Sequence, residues 1–534
     1  MTSAYLDALR PVSPTVTTNQ GGTAYEADDF ARLTRFLILG SEGGTYYIGQ
    51  RELTLANADV VKRCLDADPT RTITMIRDVS TEGRAPKNDP AILALAIAAS
   101  HADELVRHWA FQALPAVCRT GTHLLHFMAY CKQVRKSSRM YRTAIGNWFN
   151  QKDADQLAYQ AVKYKQRDGW SLADALRLAR PTAPDEAHNA VYKYIVDGKL
   201  HIEHTPALIR AAEDLSLHNG DLASDAIREY RLPREAVPTE LLNRVDIWDA
   251  LLADMPMTAM IRNLAKMTNV GLITGDMGNE ATYTITSRLA DAERIQKARV
   301  HPLQILAALK VYEQGHGEKG KLTWTPVKRI VNALDEAFYM SFKAVPSTGK
   351  RILLALDVSS SMDGSQIAGM PFISARVASA AMALVTANVE PSAEFVAYSH
   401  DLVGVTLRPS MRLDEVIRTI SAIPMGGTLC ALPIWYADRA GEKFDAFVSY
   451  TDSETGRSPM YGFGYNRGIS TTPDYTDALA RYRGRVNKQA RSVVVALTAN
   501  QFTLNDPLDP MGLDVAGFDS AAPGIIGDFI GGRI

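Results

Sequence analysis

Cysteine is scarce in this chain, and net charge is almost absent. The four cysteines, Cys64, Cys118, Cys131 and Cys430, form no C-x-x-C pair, which argues against a disulfide framework or a standard zinc finger. They are expected to be reduced and buried as small apolar side chains. The formal charge is −1, from 58 basic against 59 acidic residues, so affinity for a polyanion must come from local clusters. The longest apolar run, "PAILALAIAAS", is roughly half the length that spans a bilayer. The opening "MTSAYLDALRPV" has neither a basic leader nor an apolar core segment. A cytoplasmic chain without a membrane partner is therefore expected. No Walker-type glycine loop occurs either, which removes the commonest phosphate cradle.

What the chain has is length and two kinds of patterning. Its 534 residues, 46% hydrophobic, suffice for roughly two to four domains or a repeat array plus a domain. From about Asp28 to Phe342, amphipathic helices follow one another. "NDPAILALAIAASHA", "DEAHNAVYKYIV", "VDIWDALLADM" and "VHPLQILAALKVYEQG" carry apolar residues at three- and four-residue spacing, with Pro, Asn or Asp near their starts. This predicts stacked helical pairs, although no fixed-period repeat is visible. Beyond "VPSTGKR" the period changes. Short β-rich runs at Ile352–Val358, Ala393–Tyr398, Ala446–Tyr450 and Ser492–Leu497 alternate with helical stretches such as Ser374–Val389. That alternation predicts a doubly wound parallel sheet, a fold that binds ligands beyond the carboxyl ends of its strands.

The first of those strands runs into oxygen donors: "LLALDVSSSMDGSQ" passes from apolar residues to Asp357, Ser359 and Ser361. Alone, such a loop is either a Ser/Asp turn or a hard-cation site. Two further loops favour the cation. "PMGGTLCALP" places Thr428 after a Gly-Gly pair, and "FVSYTDSET" places Asp452 just past an apolar strand. Together they resemble the metal-ion-dependent adhesion site of von Willebrand factor A domains. That resemblance implies Mg²⁺, with Mn²⁺ or Ca²⁺ as alternatives, held by Asp357, Ser359, Ser361, Thr428 and Asp452. Few anionic ligands leave such an ion able to recruit a partner's oxygen. A phosphoryl-accepting Asp357 is the weaker reading, because Ser359 stands where dehalogenase-like enzymes carry a second Asp. No catalytic residue is expected.

In the helical half, "CKQVRKSSRMYRTAIGNWF" sets Lys132, Arg135, Lys136, Arg139 and Arg142 at helical spacing without an acid among them. On one helix they would fall largely on one face. "YQAVKYKQRDGW" then interleaves Lys163, Lys165 and Arg167 with Tyr159, Tyr164 and Trp170. Cations for phosphates and aromatics for bases suit single-stranded RNA, whereas a solvated face and a helix core explain each residue singly. The cysteine and histidines of "CRTGTHLLHF" fit no finger spacing, and core or capping roles are expected for them.

Long stretches then match a known family. "RFLILGSEGGTYYIGQREL", "KNDPAILALA", "CRTGTHLLHF", "YQAVKYKQRDGWS", "MPMTAMIRNLAKMT", "ARVHPLQILAALKVYEQGHG" and "GKRILLALDVSSSM" resemble the Ro autoantigen (TROVE-domain) proteins of Ro ribonucleoproteins, in a bacterial-type form. The resemblance implies an α plus α/β fold. A ring of HEAT-type α-helical repeats would occupy residues 1–345, and a von Willebrand factor A (Rossmann-like) domain residues 346–534. It also implies a non-catalytic, monomeric RNA-binding protein. Small noncoding Y RNA would lie on the outer ring surface, and single-stranded 3′ ends of misfolded RNA would enter the hole. RNA quality control with a 3′-to-5′ exoribonuclease and stress survival are the implied roles. Lys132, Arg135, Lys136, Arg139, Arg142, Lys163, Lys165, Gln166, Arg167 and Arg180 are the expected RNA contacts. Leu172 and Arg180 stand where the family usually carries histidines, and Leu429 where animal members tend to have Asp. A protein-binding scaffold built on the same repeats and A domain is the alternative.

Overall fold

The computed structural model describes residues 15–17, 23–25, 29–39, 45–47, 59–82, 85, 87–134, 138–164, 166–201, 203–217, 222–298, 300–317, 321–359, 361–364, 366–367, 370–399, 401–424, 429–451, 475–497, 504–505, 509–516 and 522–533. The chain divides into two compact units. One comprises Leu53–Val300 and Ala308–Ser341; the other comprises Met1–Glu52, His301–Ala307 and Phe342–Ile534.

The first unit is helical. Its opening helices are α1 (Asp59–Ala67), α2 (Pro69–Glu82), α3 (Asp89–Ala98), α4 (Glu104–Val117), α5 (Gly121–Val134), α6 (Arg139–Asn150), α7 (Ala154–Lys163), α8 (Leu172–Ala179) and α9 (Glu186–Asp197). Local chemistry starts several of them: Asp103, Ser138, Asp153, Ser171 and Asp185 each accept a backbone N–H of the turn they open. Helices pack both on the next in sequence, as α1 on α2, α2 on α3, α3 on α4 and α8 on α9, and on the one beyond, as α2 on α4, α3 on α5, α4 on α6, α6 on α8 and α7 on α9. That is the stacked-pair pattern of a helical repeat array. Helix α3 lies deepest, with every residue from Pro90 to Ala98 buried. This accounts for its unbroken apolar sequence, since a helix covered on all sides needs no polar stripe.

The second unit is built on a seven-stranded sheet of β1 (Thr45–Tyr47), β2 (Ile352–Asp357), β3 (Ala393–Tyr398), β4 (Leu402–Gly404), β5 (Ala446–Thr451), β6 (Arg491–Ala496) and β7 (Gly512–Ala516). Their order is β4-β3-β2-β5-β6-β7-β1. All pairings are parallel except β4 on β3, so the doubly wound parallel sheet carries one antiparallel edge. β2 and β5 are buried along their whole length, as continuous apolar strands covered on both faces must be. β1 comes from the first fifty residues, so a boundary at residue 345 does not cut the chain cleanly between the two units. Helix α10 (Ala375–Val389) follows β2 and begins on Ser374, whose hydroxyl accepts from Val377 N at 3.3 Å. All four cysteines are buried, and none is in a disulfide among the described residues. No described helix is long and apolar enough to cross a membrane.

Candidate nucleic-acid interface and metal site

Between α7 and α8 the chain makes a hairpin of two-residue strands, Gln166–Arg167 on Trp170–Ser171. Its turn is Asp168-Gly169 with φ of 52° and 75°. Both left-handed positions suit an Asp-Gly pair, the sequence mark of a two-residue hairpin loop. Gln166 and Arg167 are exposed and Trp170 is half-buried. The turn is pinned from beneath: His126 Nδ1 on α5 pairs with the Asp168 carboxylate, and its Nε2 lies 3.9 Å from Asp89. Burial, joined by the Asp89 and Asp168 carboxylates, pushes the nearby Tyr130 phenol up to about 12. His123 on the same helix is pushed down to about 4, chiefly by burial and then by Arg119, so it is neutral near pH 7. His126 therefore anchors the hairpin turn, while His123 lies beside Asn88, its Nδ1 3.4 Å from the Asn88 amide nitrogen. Sequence reading gave His126 no partner, because Asp168 is distant in sequence.

Close packing fixes where the hairpin springs from. A Cβ on Gly121 would sit 2.9 Å from Tyr164 Cβ and 3.5 Å from Leu172 Cδ2, so only glycine lets α5 approach so near. Gln160 Oε1 accepts from Gly121 N at 2.8 Å across the same contact. Ser171 opens α8 with a capping box completed by Asp174. Leu172 points inward, 2% exposed, where an imidazole would have offered a polar edge. Arg180 ends α8 in a left-handed conformation, φ 47°, exposed, its Nε donating to Arg177 O at 3.3 Å.

The basic cluster is divided differently from the single helical face expected. Lys132 lies in the last turn of α5, which ends at Val134, while Arg139 begins α6. Ser138 causes the break: its backbone is extended, and its hydroxyl caps the new helix by accepting from Tyr141 N at 3.2 Å. Lys132, Arg139 and Arg142 are all exposed. Arg135, Lys136 and Lys165 lie outside the described residues. Lys163 is committed locally, donating to Tyr159 Oη at 2.8 Å and sitting 5.1 Å and 5.6 Å from the Tyr159 and Tyr164 ring centres.

In the sheet unit, Asp357 ends β2 and is 1% exposed. Its Oδ1 accepts from Ser359 N at 2.8 Å, and its Oδ2 accepts from Thr451 Oγ1 at 2.8 Å. Thr451 ends β5, the strand paired in parallel with β2, so Asp357 and the position before Asp452 meet at the carboxyl edge of the sheet. Ser361 begins a short helix, Ser361–Gly364, directly after this turn. Thr428 and Asp452 lie outside the described residues. Hydroxyls and a carboxylate are hard oxygen donors with little anionic charge, a set that fits Mg²⁺ and disfavours thiophilic ions.

Sequence reading missed two neighbours of that turn. Thr451 orients Asp357. Arg376 on α10 is 2% exposed; it pairs through Nε with Asp363 and donates from Nη2 to Ser359 O at 3.2 Å. Its Nη1 is buried and has no hydrogen-bond partner among the described residues. A lone arginine in the otherwise apolar "ARVASAAMALV" is the one signal that pointed there.

Comparison with known proteins follows this geometry. The pattern described as TROVE domain matches residues 16–205 and 230–310, and that described as Ro60 vWA domain matches residues 351–530. The chain is 38% identical to the RNA-binding protein RO60 of Deinococcus radiodurans over 97% of its length and 96% of that protein's. It is 31% identical to the RNA-binding protein RO60 of Caenorhabditis elegans, over 97% of its length and 90% of the other's. The crystal structure of the Deinococcus radiodurans RO (RSR) protein superposes with a TM-score of 0.86, covering 95% of this chain and all of that one.

Proposed function

Because the chain belongs to the family of TROVE-domain Ro60 proteins, we propose that it is the RNA-binding protein of a cytoplasmic ribonucleoprotein and not an enzyme. The observation that carries this reading is the exposed hairpin bearing Gln166 and Arg167, near in sequence to the exposed Lys132, Arg139, Arg142 and Arg180. The cations would neutralise phosphates, which suits a chain whose net charge attracts no polyanion. Y RNA would occupy the outer surface of a helical-repeat ring, and a single-stranded 3′ end of misfolded RNA its hole. A 3′-to-5′ exoribonuclease would act on RNA presented this way, with the protein as a monomer.

The sheet unit would hold Mg²⁺ through Asp357, Ser359, Ser361, Thr428 and Asp452. The bound ion would supply an electrophilic centre for a partner's oxygen. Thr451 and the Ser359 amide fix the Asp357 carboxylate, so its orientation is set before any ion arrives.

Filter binding of an RNA with a single-stranded 3′ tail, titrated across salt concentrations, tests the RNA reading. Replacing Lys132, Arg139 and Arg142 together by Ala should flatten the slope of log K against log salt by about two, at about 0.7 per phosphate on a single strand. An unchanged slope assigns those residues to solvation. Prolonged incubation of labelled RNA with protein and Mg²⁺ should leave it intact; shortening would make the protein a nuclease.

A further inference from the structure

The helical unit holds a cavity of about 300 Å³, and of the phosphate contacts above Lys132 lines it. Ala99, Phe111 and Met128 give it apolar walls, Tyr141 and Trp170 flat rings, and Lys132 an ammonium group. Lys132 is exposed and Trp170 half-buried, so the cavity reaches solvent beside the hairpin. The Tyr141 phenol is 8% exposed and stands in the wall of this cavity. A hydroxyl in an apolar wall can pair with the polar edge of a ligand.

The shape restricts that ligand. Ligand pockets commonly run from about 300 to 1,000 Å³, so this one takes a single small ring system. Its aromatic walls favour a flat occupant, the hydroxyl one with a polar edge, and Lys132 one attached to an anion. Arg139 and Arg142 lie exposed on the helix that carries Tyr141, so the anionic groups extend along a strand. Resting on the RNA-binding reading above, we propose that this cavity seats one unstacked nucleobase of bound single-stranded RNA. The base stacks on Trp170, its edge pairs with the Tyr141 hydroxyl, and Lys132 meets the flanking phosphate. Stacking of this kind tolerates any base, because every base has a flat face.

The test uses the full chain and a single-stranded oligo(A) RNA carrying 2-aminopurine, with affinity read by anisotropy and stacking by 2-aminopurine emission. On the wild type, emission should be quenched upon binding. Ala99→Leu, which fills the cavity, and Trp170→Leu should weaken binding about tenfold and restore emission, with the salt slope unchanged. Tyr141→Phe, which keeps the ring and so guards against a folding defect, should weaken it about threefold. If the wild type binds and quenches while Ala99→Leu and Tyr141→Phe match it, the cavity is not the base site and the RNA reading stands. If the wild type binds no RNA at any salt concentration, the RNA reading fails and this inference with it.

Discussion

Arg376 and Asp363 form an ion pair whose halves are unequally wet: the guanidinium is 2% exposed and the carboxylate 49%. Removing one half or the other therefore has unequal consequences. Asp363→Ala strands a buried charge whose Nη1 already lacks a partner among the described residues, and should cost about 3–5 kcal/mol of stability. Arg376→Met removes the buried charge and lets Asp363 rehydrate, so urea melts should move by under about 1 kcal/mol. Equal losses in the two variants would show that the pair acts as a sealed buried bridge. Asp357→Ala should weaken Mg²⁺ binding by calorimetry while leaving RNA affinity unchanged; lost RNA affinity in a folded variant would contradict the division of roles. The sequence displayed Asp357 and Ser359 because an apolar strand ended on them. Thr451 stayed hidden because its bond to Asp357 spans two strands whose pairing no local pattern records.

At the scale of elements, the hairpin depends on two left-handed residues, and its anchorage on one missing side chain. Gly169→Val places a β-branched residue at φ 75°, where L side chains clash, and should loosen the hairpin at a cost of about 1–3 kcal/mol. Gly121→Ala sets a methyl 2.9 Å from Tyr164 Cβ; the forced shift should cost about 1–3 kcal/mol in thermal unfolding and move the hairpin's base. A neutral Gly121→Ala would mean that α5 can retreat freely. Periodicity located the four central strands within a residue and marked the helices it quoted, such as Glu186–Asp197 and Ala375–Val389, since each carries its own apolar rhythm and cap. It ran Lys132 and Arg139 onto a single face because "RKSS" has no proline or glycine to announce a stop. Strands of two or three residues, such as β1, β4 and the hairpin pair, were too short to show any period.

At the scale of the molecule, two buried imidazoles contribute to the response to acid. Burial holds both His123 and His301 down at about 4, against a usual 6.5. Below pH 6.5 the unfolded chain takes up protons at these groups that the folded chain refuses, so stability falls as pH drops toward 4 and is restored above 6.5. Each imidazole adds at most about 1.4 kcal/mol per pH unit within that window. Melting temperatures for His123→Gln should fall less steeply from pH 6.5 to 4.5 than those of the parent; identical profiles would place the acid response elsewhere. Deleting the segment that carries β1 uncovers the edge of β7, and light scattering should report association that the intact chain lacks. That outer pairing also sets a clock. Thr45 is made early and waits for Asp514, which leaves the ribosome roughly half a minute to a minute and a half later at ordinary elongation speeds. Every nascent chain therefore carries an unmatched strand until β7 has followed, so closing this side of the sheet waits on synthesis of the whole chain between the two strands.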